Sequence, residues 1–177
     1  MNWILETLSL PNLQAAIQVR LGIEGLRSHP FIHTYFVCSD SSRIGDFRGE
    51  DKQKLLQKFR TDRGVTVDLI TQSHGNQKEQ QVDMSVVMRM LEMGPLAVPH
   101  YDPWRHVVLI SSDSDYVPAI RLLSTMATHT ITVGFRELKN NQTGKVKKYP
   151  IELINESYFF LEMSELILEM ENRNNTL

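Results

Sequence analysis

Apolar residues recur along this chain in two rhythms, a four-residue spacing that suits helices and short unbroken runs that suit buried strands. Leu13, Ile17 and Leu21 stand four apart with Gln14, Gln18 and Arg20 between them. This predicts an amphipathic helix entered at Pro11 and ended near Gly22 or Gly25. The stretch before it, Met1 to Leu10, reads equally as a strand or an irregular lead-in. FIHTYFVC (31–38) is aromatic and β-branched and lies between Pro30 and a Ser-Asp-Ser-Ser loop, which predicts a strand. Leu55, Leu56 and Phe59 mark one face of a helix over 51–63, stopped by Gly64. VTVDLI (65–70) is the next strand, and a polar loop over 71–81 follows it. Val82, Val86 and Met90 then predict a helix that Gly94-Pro95 ends.

HVVLI (106–110) is uninterrupted and apolar, as a strand buried on both faces should be. Val117, Ile120, Leu123 and Ala127 mark a further helix, and TITV (130–133) a further strand. The segment 136–148 is basic and turn-rich. A short strand over 158–161, a helix over 164–171 and a frayed tail over 172–177 complete the pattern. Strand and helix alternate throughout. This predicts an α/β fold, a three-layer sandwich in which helices cover a mainly parallel sheet containing 31–38, 65–70, 106–110 and 130–133. One domain over 1–177 is expected, since no linker, repeat or low-complexity segment interrupts it. Ligands of such sheets bind beyond the carboxyl ends of the strands, so the loops there are where chemistry belongs.

Composition narrows the function classes. The 41% hydrophobic and 23% charged fractions are those of an ordinary water-soluble domain, with no apolar run of membrane-spanning length and no signal-peptide pattern. A single cysteine, Cys38, excludes an internal disulfide and fits a reducing, cytoplasmic setting. The net charge of −2 is not that of a strongly basic nucleic-acid binder, but a local basic patch is compatible with it.

Three carboxylates fall on the expected ligand side. Asp113 and Asp115 lie in the turn after strand 106–110, and Asp83 lies at the predicted start of the preceding helix. Drawn together they would repel one another unless a cation joined them, and an all-oxygen set suits Mg²⁺ or Mn²⁺. Taken singly, each has a plainer reading as a helix cap or a partner of the helix dipole. No histidine cluster with metal spacing, Gly-rich phosphate loop or Ser-His-Asp arrangement stands beside them.

The stretch VVLISSDSDYVPAIRLLSTMATHTITVGF (107–135) resembles the signature of the NYN family, a branch of the PIN-like nucleases. There a buried strand runs into a Ser/Gly-Asp-x-Asp-Phe/Tyr-x-Pro turn, and a helix and a strand ending in Gly-Phe follow. Ser112, Asp113, Asp115, Tyr116, Pro118, Gly134 and Phe135 supply these positions in order, and Val82-Asp83 matches the family's upstream Val-Asp. The resemblance runs from about residue 31 to about residue 163. It implies a PIN-like, metal-dependent endonuclease acting mostly on RNA, with Asp83, Asp113 and Asp115 as ligands of Mg²⁺ or Mn²⁺. Asn12 and Leu13 match the family's first motif, but Ser9 stands where that motif has Asp.

Two readings follow from this, and a third from the same sheet and loops. The first is an endoribonuclease on single-stranded RNA, in which an Asp-bound ion activates water. Asn12, Ser112, Arg43, Lys145 and Lys147 would face the substrate, with Arg48, Lys52, Lys139 and Lys148 as further basic positions. The second, favoured by Ser9, is a PIN-like domain that keeps its acidic pocket and binds RNA or protein without cutting. The third is phosphoryl-transfer chemistry on a small molecule. A homodimer is compatible with each of them.

Overall fold

In the computed structural model the described residues are 10–25, 34–39, 49–62, 65–70, 77–93, 105–139 and 144–174. Contacts divide the chain into two units, Met1–Val86 and Val87–Leu177.

The first unit opens with α1 (Leu10–Ile23), followed by β1 (Thr34–Ser39), α2 (Gly49–Thr61) and β2 (Val65–Ile70). α1 buries Leu10, Leu13, Ala16, Ile17 and Leu21, the stripe expected from the four-residue spacing. Its start at Leu10 with Pro11 second is where proline's fixed φ and missing N–H cost a helix least. β1 and β2 pair in parallel from Thr34 opposite Val65 to Ser39 opposite Ile70. Gln14 Nε2 of α1 donates to Thr34 Oγ1 of β1 at 2.6 Å. Leu10, Leu55 and Phe59 form a buried cluster against which Val65 and Val67 pack. Removing a side chain such as Phe59 from water contributes about 2–3 kcal/mol, which is what seats α2 on β2.

α3 (Gln77–Met93) begins in the first unit and ends in the second. It starts earlier than its apolar spacing predicts. Gln77, Lys78, Glu79, Gln80 and Gln81 are good helix formers without an apolar stripe, so propensity extends the helix where periodicity is silent.

The second unit runs β3 (Arg105–Ile110), a 3₁₀ turn (Ser114–Tyr116), α4 (Val117–Thr125), β4 (Thr128–Gly134), β5 (Glu137–Lys139), β6 (Val146–Lys148), α5 (Ile151–Glu156), β7 (Phe159–Glu162) and α6 (Met163–Asn174). β3, β4 and β7 form a parallel sheet with β4 in the middle. Both sides of β4 are buried: Thr128, Thr130 and Thr132 on one, Ile131 and Val133 on the other. A central parallel strand needs covering on both faces, and its run of apolar and Thr residues reflects that. α4 lays Val117, Ala119, Ile120 and Leu123 inward and packs against β4. Arg121 of α4 bonds Glu156 of α5 at 2.6 Å, and that hydrogen bond holds the Glu156 carboxyl below its ordinary range.

The fold class is α/β with parallel strands, as expected. The four expected strands are present in two parallel ladders, β1–β2 in the first unit and β3–β4 in the second, where β7 extends the latter. Residues 136–148, expected as turns, contain the antiparallel hairpin β5–β6. The helix over 151–156 was not expected, and residues 172–174, expected to fray, close α6. Residues 1–9, and with them Ser9, lie outside the described residues. Among the described residues no helix is long and apolar enough to cross a membrane.

Ala127, which follows α4, has φ of 54°, a left-handed conformation that disfavours a residue with Cβ. Ala127→Gly is expected to stabilise the chain by up to about 1 kcal/mol, because relief of the Cβ clash outweighs the extra chain entropy of glycine. Urea unfolding of the two proteins checks this.

Candidate metal and nucleic-acid site

The acidic turn hangs from the carboxyl end of β3. Its geometry is set by alternation of purpose along Ser111–Ile120. Tyr116, Val117, Ala119 and Ile120 are buried and hold the turn to the sheet, whereas Ser112, Asp113, Ser114 and Asp115 are exposed. Asp113 is in extended backbone, and its Oδ1 accepts from the Asp115 N–H at 3.0 Å. The Asp113 N–H donates to Ser111 Oγ at 3.2 Å. Pro118 stands in the first turn of α4, where its ring continues the turn into the helix.

Asp113 therefore does cap a helical turn, as the plainer reading had it. The cap employs one carboxylate oxygen, and the side chains of Asp113 and Asp115 are both exposed to water. Two exposed carboxylates on a short, backbone-fixed turn fit a hydrated hard cation. Mg²⁺ in particular keeps several of its waters and is commonly held by one or two carboxylates. Among the described residues no three His, Cys, Asp or Glu side chains form a group that could hold a metal ion.

Asp83 is not at a helix start. It is the seventh residue of α3, half-buried, in the first unit, whereas Asp113 and Asp115 belong to the second. Capping thus does not explain Asp83, and Asp is a poor helix former in an interior position.

The basic positions separate. Lys139 lies on β5, Lys147 and Lys148 on β6, and Lys145 just before β6, and all four are exposed. Strand register places Lys147 opposite Leu138 and Lys148 opposite Glu137, whose carboxylate is 3.9 Å from Lys148 Nζ. Lys52 corrects an expectation: it is only 3% exposed, so it is no surface contact for phosphates. Asn12 is half-buried in the first turn of α1, and Ser112 is exposed beside Asp113. Arg43 and Arg48 lie outside the described residues. His106 packs with His129 and Tyr158.

Sequence reasoning passed over Tyr149. It follows Lys148 directly, its N–H donates to the Arg136 carbonyl at 2.9 Å, and its hydroxyl donates to the Ser111 carbonyl at 2.5 Å. Its ring lies on Gly134 so closely that a Cβ there would be 2.1 Å from Cε2. The one local signal was Gly134 itself, since glycine at a strand end marks close approach of another group.

A family model described as NYN domain matches residues 10–155. No curated protein and no solved structure matches the chain significantly. The match covers most of the chain, including α1, strands β1 to β4 and the acidic turn, and agrees with the α/β architecture. NYN nucleases typically depend on divalent metal. The chain belongs to the NYN domain family, within the PIN-like nuclease superfamily.

Proposed function

We propose that this chain is a divalent-metal-dependent endoribonuclease that cuts single-stranded RNA at the acidic turn. The observation that carries the reading is the pair Asp113 and Asp115, exposed together on one backbone-fixed turn at the carboxyl end of β3. These two carboxylates would hold Mg²⁺ or Mn²⁺. Such an ion, when bound, supplies stabilisation of phosphoryl charge and a more acidic water. Asp83 is assigned to the same chemistry by the family resemblance alone.

The chain's own residues do the rest. Asp113 Oδ1 accepting the Asp115 N–H keeps the turn in one conformation, so its carboxylates need little reorganisation to act. The Ser112 hydroxyl, next in line, can donate to a phosphate oxygen. Lys139, Lys145 and Lys147 present positive charge on a hairpin joined by its backbone to the end of β4, and would track an RNA strand by its phosphates.

The test is cleavage of a fluorescent single-stranded RNA by the full chain. Cutting in Mn²⁺ that stops on chelation is the expected result. RNA left intact in both Mg²⁺ and Mn²⁺, but still bound, would instead establish the non-cutting reading that Ser9 favours. In that case Ser9→Asp is the variant to examine next.

A further inference from the structure

We propose that Tyr149 is a positioning residue that ties the lysine hairpin to the acidic turn, through its hydroxyl and the Ser111 carbonyl. The consequence for catalysis rests on the nuclease reading; the mechanical link does not.

Four contacts inside the second unit form the link. β6 carries Lys147 and Lys148, and Tyr149 is the next residue. The Tyr149 N–H on the Arg136 carbonyl closes the hairpin onto the end of β4. Its ring then crosses Gly134, packs against Phe160 at 4.9 Å between centroids, and delivers the hydroxyl to Ser111 in the neighbouring chain segment. Strand register accounts for the reach: Val133 pairs with Ile110, so Gly134 and Ser111 are the next residues along two adjacent strands. Ser111 passes the constraint on, because its Oγ accepts the Asp113 N–H, and Asp113 in turn caps the Asp115 N–H.

The chemistry suits a permanent tie. Tyr149 is 7% exposed, and burial pushes its phenol above the ordinary value, so the donor proton stays on at any physiological pH. A tyrosine placed only to fill space would not need the Ser111 carbonyl at its hydroxyl.

Tyr149→Phe separates a tie from a filler, since it keeps the ring and removes one oxygen. The readouts are amide exchange by NMR, Mn²⁺ affinity and single-turnover RNA cleavage on the full chain. Exchange at Asp113 and Asp115 is expected to quicken about tenfold, while amides within β4 are unchanged. Mn²⁺ binding weakens several-fold, and kcat falls about tenfold with KM for RNA unaltered, because the lysines are intact. Unchanged exchange at both aspartates, in a folded Tyr149→Phe protein, overturns the proposal. Should that variant not fold, the parent protein decides: a Tyr149 hydroxyl proton that exchanges slowly enough to be seen by NMR supports the tie to the Ser111 carbonyl, and one in fast exchange with water overturns it. If the parent cuts no RNA, the nuclease reading fails and the exchange measurement still decides the role of Tyr149.

Discussion

Asp113→Asn should reduce metal-dependent RNA cleavage at least about a hundredfold while leaving the fold intact. The asymmetry follows from what the side chain does. As a cap, Asp113 uses Oδ1 to accept the Asp115 N–H, and the carbonyl oxygen of Asn does the same with similar strength. The 3₁₀ turn and the start of α4 should therefore persist, with stability changed by no more than about 0.5 kcal/mol. As a ligand in the proposed site, Asn lacks the charge that would hold a cation. Binding of RNA, which the proposed reading gives to the hairpin lysines, should change little. Rates of single-turnover cleavage in Mn²⁺, set beside thermal unfolding and RNA affinity, check all three statements. A variant that cuts as fast as the parent would move the active site away from this turn. Loss of folding and cutting together would mean that the carboxylate is a cap with no further role.

Gly134→Ala should destabilise the chain by about 3 kcal/mol, a large effect for one methyl group. The added Cβ would sit 2.1 Å from Cε2 and 2.6 Å from Cδ2 of Tyr149. A flexible side chain would swing aside at little cost, but this ring is buried and held at both ends. Its backbone is fixed to Arg136 and its hydroxyl to Ser111. Moving it sacrifices packing and at least one hydrogen bond, each a matter of about 1 kcal/mol or more. Urea unfolding measures the loss. In the double variant Gly134→Ala, Tyr149→Ala the clash is gone, so its cost should fall well short of the sum of the single costs. A loss below about 0.5 kcal/mol for Gly134→Ala would show that the ring has room to move.

The same pair of residues marks where local sequence stopped being informative. The strand 106–110, the acidic turn after it and the apolar face of α4 could be read directly, because a strand–turn–helix unit is written in consecutive residues. The helical stripe of Leu13, Ile17 and Leu21 was legible for the same reason. The hairpin β5–β6 was not: its strands are three residues long, rich in exposed lysine, and form only by pairing with each other. Asp83 looked like a cap because the polar first turns of α3 carry no periodic signal, and only the hydrogen-bonded helix shows it to be interior. The burial of Lys52 was equally hidden, since a lysine on a polar helix gives no sign of which neighbours will cover it.

What the sequence by itself determined is the alternation of elements, the class of fold, and the placing of Asp113 and Asp115 just beyond strand β3. These depend on residue spacing within one turn or one strand. The strand itself, expected to be buried on both faces, lies at the edge of its three-stranded sheet with Ile110 exposed. What only the tertiary structure decided is how that turn is held. Ser111 and Tyr149 are 38 positions apart, and no propensity or period links them. They meet because β3 and β4 pair in parallel register and Gly134 leaves room for a ring to pass between hairpin and turn.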